Sequence, residues 1–223
     1  MSITTDALAD LASVIPVLTV SDVADAAPLA RALEAGGLKV IEMTWRTAAA
    51  LDVLRAMKAA APGLAVGMGT IRTPEQAAQS VSAGADFLVS PGLTPKLVPA
   101  LLDAGVPVLP GVATASEAMA AAEAGFDLLK FFPAEQAGGL DYLKSLQGPL
   151  PDIRFCPTGS ITREQAPDYL ADDGWLLLEH GWQQADAVCE LLRQRGFTDV
   201  ENRCDLGANP RISGGRWPAQ RIA

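Results

Sequence analysis

The stretch Leu128-Leu129-Lys130-Phe131-Phe132-Pro133-Ala134-Glu135 reads as a short apolar strand that carries one lysine and is stopped by a proline. An alanine-rich helical pattern precedes it over 115–124, closed by Gly125, and another follows over 139–146. A strand set between two such helices belongs to a βα repeat. The repeat extends in both directions. Strands are expected over 16–20, 39–43, 65–68, 87–89, 106–109, 128–131, 153–156 and 175–178. Helices are expected between and after them, over 23–35, 47–60, 74–83, 95–104, 115–124, 139–146, 163–170 and 185–195. Ser21, Thr73, Thr94 and Thr162 open helices as caps, and Gly36, Gly84, Gly105 and Gly125 close them. Eight such units predict an α/β fold of the (β/α)8 barrel type. An open, doubly wound sheet is the alternative, because periodicity does not reveal closure.

Composition narrows the class. The chain has 223 residues, 49% of them hydrophobic, enough for one large α/β domain. A formal charge of −9 argues against nucleic acid or an acidic membrane as partner, but not against a small anionic substrate held by a local basic group. Cys156, Cys189 and Cys204 lack metal-ligand spacing and read as reduced thiols of a cytoplasmic protein. No basic segment precedes an apolar run at the N-terminus, and no apolar run approaches a membrane span of about 18 residues.

Lys130 carries the chemistry. Burial disfavours an ammonium and favours a neutral amine, the form that attacks a carbonyl to make a Schiff base. The competing reading is a lysine that reaches out to solvent at a strand end. In a parallel barrel the chemistry sits where strands end. Polar residues and glycines gather at those places: Glu42, Thr44 and Arg46; Gly69 and Thr70; Ser90, Pro91 and Gly92; Thr158, Gly159 and Ser160. Glu42 is suited to shuttle protons for an imine, and Arg46 to hold a carboxylate. The plainer readings are a Glu42–Arg46 salt bridge and a solvated arginine at a helix start. Taken together, a lysine nucleophile, a carboxylate shuttle and an arginine clamp describe a class I lyase acting on a 2-oxo acid.

Five ordered strings carry a resemblance. They are Ile41-Glu42-Met43-Thr44-Trp45-Arg46-Thr47, Gly67-Met68-Gly69-Thr70, Val89-Ser90-Pro91-Gly92-Leu93-Thr94, Leu129-Lys130-Phe131-Phe132-Pro133-Ala134-Glu135 and Arg154-Phe155-Cys156-Pro157-Thr158-Gly159. From about residue 7 to about 171 the chain resembles the 2-keto-3-deoxy-6-phosphogluconate aldolase family, which also cleaves 4-hydroxy-2-oxoglutarate. The resemblance implies a (β/α)8 barrel, a homotrimer, a cytoplasmic enzyme of Entner-Doudoroff carbohydrate metabolism, and no metal or cofactor. It assigns Lys130 as the Schiff-base lysine and Glu42 as the acid/base residue. Arg46 and Thr70 match the groups that hold the pyruvate carboxylate, and Pro91, Phe132 and Thr158 match residues lining the pocket.

The chain departs from that family at the phosphate end. Ser160 stands where the family has a second glycine, and Trp175-Leu176-Leu177-Leu178-Glu179-His180-Gly181-Trp182-Gln183-Gln184 replaces a glycine-glycine-serine loop. Gly159 and Ser160, with the amides opening the helix near Thr162, are the anion donors that remain. Residues 174–217 resemble instead the C-terminal end of the release-factor glutamine methyltransferase family. Its adenosylmethionine and catalytic motifs are absent, so no methyltransferase activity is expected. Charge agrees with a junction near 171–174: from Arg193 onward the chain carries +3, against −12 for the remainder. The expected organisation is one barrel over 1–197, its eighth unit atypical and formed by 175–178 and 185–195, followed by a short C-terminal β segment over 198–223. A barrel that closes poorly is the opposing expectation. The expected activity is cleavage of a 2-keto-3-deoxy-6-phosphosugar acid or 4-hydroxy-2-oxoglutarate to pyruvate and an aldehyde. The alternatives are a catalytically impaired fusion and a phosphosugar epimerase or isomerase barrel.

Overall fold

Parallel strands follow one another around an arc in chain order. The computed structural model describes residues 4–12, 14–162, 164–169, 175–179, 185–194, 196–204 and 210–216. One sheet runs β1 (Val17–Leu18), β2 (Val40–Thr44), β3 (Ala65–Gly69), β4 (Leu88–Val89) and β5 (Val108–Leu109), each hydrogen-bonded to the next. The arc continues past Pro110 as β6 (Gly111–Val112), β7 (Leu128–Phe131) and β8 (Arg154–Pro157). Proline has no N–H for a ladder, but its carbonyl still accepts from Lys130 N–H at 2.9 Å, which ties the two sheets together.

Strand alternation separates two cores. Residues of one parity, Val40, Val89, Leu109 and Leu128, pack with Leu8 and Phe87 inside the arc. Those of the other parity, Ile41, Met43, Val66, Met68, Leu88 and Leu129, pack outward against helix residues such as Ala26, Ala30, Leu33, Val53, Leu54 and Met57. Both faces are therefore apolar, as a parallel sheet covered by helices requires. Helices α2 (Val23–Ala35) and α3 (Ala50–Ala60) supply most of that outer layer. Helix α1 (Thr5–Leu11), capped by Thr4, was not anticipated from the sequence. It plugs the end of the barrel where strands begin: Leu8 is fully buried against Val40 and Leu128, and Asp6 pairs with Arg154 Nη2 at 2.8 Å.

The eighth unit differs from expectation. Strand β9 (Trp175–Glu179) was expected to close the barrel between β8 and β1; it pairs antiparallel with β11 (Pro210–Arg216) instead, from Ile212 opposite Glu179 to Arg216 opposite Trp175. Strand β10 (Thr198–Cys204) pairs with the other edge of β11, giving a separate sheet in the order β10-β11-β9. The physical reason is local. A hairpin close in the chain offers β9 an antiparallel ladder, which satisfies its backbone slightly better per residue than a parallel one. The helix Ala185–Gln194 packs on β10 and β11. Leu192 and Phe197 form a small core with Val14 and Ala166 of the barrel. The expected C-terminal β segment is thus present, whereas the barrel is not closed among the described residues. The expected junction at 171–174, and the loop at 180–184 with His180, lie outside the described residues.

Candidate active site

Lys130 lies in β7, all four residues of which are buried, and Glu42 in β2, all five of which are buried. Both belong to the inward-facing parity, with Leu128 and Val40 beneath them. Lys130 Nζ lies 3.6 Å from Glu42 Oε1, with the two residues 7% and 4% exposed. That oxygen makes no hydrogen bond in the structure. The reading in which Glu42 pairs with Arg46 therefore gives way to a Lys130–Glu42 pair, and the reading of Lys130 as a solvent-seeking lysine fails on its burial. Burial pushes the Glu42 carboxyl above the usual carboxylate range, and the Lys130 charge and, more weakly, that of Arg46 offset part of this. A carboxyl raised toward neutrality beside an amine is poised to take and return a proton.

Glycine makes room for the pair. A Cβ at Gly69, at the end of β3, would lie 1.8 Å from Glu42 Oε1. On the other side of Lys130, the Phe132 ring centroid lies 5.2 Å from Nζ, within cation–π range. Cys156 of β8 is the register partner of Lys130. Its thiol is pushed up by burial and by the Glu42 charge, against the pull of Lys130, so it stays neutral beside the amine.

Glu42, Lys130, Phe132 and Cys156 line a cavity of about 790 Å³ that also reaches through the barrel interior, past Phe87 and Leu109, to Leu8 and Ala12 of the N-terminal segment. It brings together seven of the nine residues expected from sequence: Glu42, Arg46, Lys130, Phe132, Thr158, Gly159 and Ser160. Thr70 and Pro91 follow β3 and β4 at the same end of the barrel but are not among its lining residues. Thr70 is half-buried with a left-handed backbone, φ 63°, a conformation costly for a β-branched residue. The Thr158–Ser160 turn holds Gly159 at φ 113° and Ser160 at φ 57°. Cys156 was quoted within a motif but given no role. The signal was available, since it stands two residues before Thr158 and shares its strand face. The Glu135 carboxylate and its partners Gln165 and Tyr169 had no local signal: they lie 30 and 34 residues from it in sequence.

The family described as KDPG and KHG aldolase matches residues 5–198 of this chain. A 2-dehydro-3-deoxy-phosphogluconate aldolase of Pseudomonas aeruginosa is 44% identical over 185 residues, which cover 83% of this chain and 84% of that protein. The crystal structure of the 2-keto-3-deoxy-6-phosphogluconate aldolase of Zymomonas mobilis ZM4 with 3-phosphoglycerate aligns with a TM-score of 0.72 and 46% identity, covering 75% of this chain and 80% of that one. A KDPG aldolase of Legionella pneumophila, solved with pyruvate captured as a covalent carbinolamine, aligns with a TM-score of 0.71 and 42% identity, covering 73% and 79%. The family match runs beyond the expected junction at 171–174, and these similarities lend the methyltransferase resemblance of residues 174–217 no support. The buried lysine–carboxylate pair at the mouth of a parallel barrel and the breadth of these matches lead to one conclusion: the chain belongs to the KDPG and KHG aldolase family.

Proposed function

We propose that the protein is a class I aldolase that cleaves 2-keto-3-deoxy-6-phosphogluconate or 4-hydroxy-2-oxoglutarate to pyruvate and an aldehyde, with Lys130 as nucleophile and Glu42 as acid/base. The observation that carries this reading is the buried Lys130–Glu42 pair, 3.6 Å apart on the wall of one cavity. The Lys130 amine adds to the C2 carbonyl of the substrate, and loss of water gives an iminium. Glu42 takes the C4 hydroxyl proton as the C3–C4 bond breaks, and the bonding pair moves into the iminium to give an enamine and the free aldehyde. Return of a proton to C3 and addition of water release pyruvate and the amine. Arg46, exposed on the cavity wall, is placed to hold the 2-oxo acid carboxylate. Thr70 would assist from the adjoining strand end, and Pro91, Phe132 and Thr158 would shape the pocket. Backbone amides around Gly159 and Ser160 would meet the distal anion of the substrate.

No helix among the described residues is long and apolar enough to cross a membrane. Membership of the aldolase family supports reading the protein as a cytoplasmic homotrimer that works on a small 2-oxo acid. A second reading concerns the end of the chain, as a graft of methyltransferase-like sequence over 174–217. What favours it is the pairing of β9, β10 and β11 among themselves rather than with the barrel.

Borohydride trapping with pyruvate, followed by peptide mass mapping, tests the aldolase reading. A reduced pyruvyl adduct on Lys130 is expected; folded protein without an adduct would refute it. Because residues 175–184 replace the family's glycine-glycine-serine loop, the Michaelis constant for the phosphorylated substrate should be raised more than that for 4-hydroxy-2-oxoglutarate. Equal losses on both would show that the change is not local to the anion end.

A further inference from the structure

The loops that hold the site are tied together by a carboxylate that the chemistry does not use. Glu135 lies just beyond β7. Its Oε2 accepts a hydrogen bond from Gln165 Nε2 at 2.6 Å, and its Oε1 accepts one from the Tyr169 hydroxyl. Gln165 and Tyr169 lie beyond β8, Tyr169 closing the short helix Ala166–Tyr169, so one side chain spans two successive βα loops. The backbone makes the same crossing. Ala134 N–H donates to Thr158 O at 2.8 Å and Glu135 N–H to Gly159 O at 3.4 Å, while Gln136 Nε2 donates to Ser160 Oγ at 2.8 Å. Burial and the neighbouring Glu135 push the Tyr169 hydroxyl up, so it remains a donor.

These loops serve opposite ends of the substrate. The first carries Phe132 beside Lys130; the second carries Gly159 and Ser160, both in left-handed backbone that neighbouring structure must hold in place. Resting on the aldolase reading above, we infer that Glu135 is a positioning residue for the substrate's distal anion: through Gln165 and Tyr169 it fixes the turn that presents Gly159 and Ser160, and it leaves the Lys130 chemistry alone. The direction of the hydrogen bonds decides why a carboxylate is needed. Gln165 Oε1 already accepts from Thr162 N–H at 2.9 Å, so Gln165 must turn its NH2 toward residue 135. A carboxylate there receives both that NH2 and the Tyr169 hydroxyl, one on each oxygen, and strengthens both bonds by its charge. In Glu135→Gln the new NH2 either faces the Gln165 NH2, which opens that link, or faces the Tyr169 hydroxyl, which must then turn to accept; in both cases the charge-assisted pairing with the two donors is lost. Adding Gln165→Glu restores the link between 135 and 165, because a carboxylate at 165 accepts from Thr162 N–H and from the new amide at 135.

The test compares steady-state kinetics on 2-keto-3-deoxy-6-phosphogluconate with borohydride trapping of pyruvate, which has no distal anion. For Glu135→Gln and for Tyr169→Phe, KM should rise about five- to twentyfold while kcat and the pyruvate trapping rate stay within about twofold of the parent. The double variant Glu135→Gln/Gln165→Glu should recover the parent KM. A fall in kcat at unchanged KM would overturn the inference, as would a raised KM that the double variant does not recover. Tyr169→Phe deletes a single hydroxyl, so it carries the same test if Glu135→Gln fails to fold, and an unchanged KM in it also overturns the inference. A parent protein that traps no pyruvate would refute the aldolase reading instead, so the two failures are distinguishable.

Discussion

Gly69→Ala should separate activity from stability at one position. Gly69 ends β3 opposite Thr44 and lies against the Glu42 side chain. An added Cβ would sit 1.8 Å from Oε1, 2.5 Å from Cδ and 2.7 Å from Cγ of Glu42. Comfortable separation for such atoms is about 3.5 Å, so the carboxylate must retreat by more than about 1 Å. It has somewhere to go, because Glu42 borders a cavity of about 790 Å³. Gly69 is also not one of the positive-φ glycines, so alanine fits its backbone. The fold should therefore lose only about 1–3 kcal/mol, the usual cost of overpacking. Activity should suffer more, since a displacement of about 1 Å in a catalytic group costs on the order of a hundredfold. The assay is kcat for pyruvate release, coupled to lactate dehydrogenase, alongside the thermal midpoint. Gly67→Ala is the control on the same strand: its Cβ would strike the Phe87 ring at 2.4 Å, and Phe87 is fully buried. That variant should lower the midpoint and spare kcat in whatever protein stays folded. If folded Gly69→Ala turns over within about threefold of the parent, the placement of Glu42 is not what the reaction depends on and the argument fails.

Three further outcomes follow from the same geometry. Glu42→Gln should lower kcat by about 10²–10⁴-fold and should alter the pH dependence of stability. Because burial raises the Glu42 carboxyl, the folded state holds that proton more tightly than the unfolded one. The stability it brings is present below the ordinary value near 4.5 and is lost as pH rises through the raised value. Glu42→Gln should therefore match the parent in acid and gain on it toward neutrality, and midpoints that run parallel across that range would count against it. Lys130→Met should abolish the borohydride-trapped pyruvyl adduct while the protein remains folded, as read by peptide mapping and circular dichroism. Ser160 holds φ 57° and bonds Gln136 through its hydroxyl. Ser160→Gly should be more stable than Ser160→Ala by about 1 kcal/mol in urea titrations, since both lose the hydroxyl but only glycine relieves the backbone.

The barrel was legible because its local rules agree with each other. The strand 128–131 and the helix 23–35 appear with the expected bounds, and Thr73 caps its helix through Gln76 N–H as the sequence implies. Asp22 rather than the expected Ser21 caps α2, whereas Gly36 closes that helix as expected and Gly37 takes the positive φ after it. Helix α1 escaped notice because seven residues make too short a pattern and its stability comes from Leu8 entering the barrel. The site was legible to the extent that it lies at strand ends. Glu42 and Lys130 each stand as the single charged residue within an apolar strand, and burial of such a residue demands a reason. The Lys130–Glu42 separation, the neutral thiol of Cys156 and the Glu135 latch depend on strands and loops far apart in the chain, which periodicity does not bring together. The fate of the eighth unit escaped for a different reason. A parallel strand followed by a helix is the right pattern for closure, and only the competing ladder with Pro210–Arg216 decides otherwise.

An open seam is compatible with the proposed lyase chemistry because of where each proposed reacting group is hung. Glu42 sits on β2, hydrogen-bonded to β1 on one side and β3 on the other; Lys130 sits on β7, between β6 and β8. Neither strand is an edge, so their mutual placement does not require a strand between β8 and β1. Cys156 and the Thr158–Ser160 turn lie on or just beyond β8, the strand that faces the seam among the described residues. That turn is steadied not from the seam but from the β7 side, by Ala134, Gln136 and Glu135. Dependence on closure should therefore grow with distance from Lys130 along the substrate. On the proposed roles, imine formation and C3–C4 cleavage would draw on groups held on both flanks, whereas the distal anion would meet a turn held on one. For this chain, a substrate that ends in a short carboxylate should lose less to the missing closure than one that ends in a phosphate.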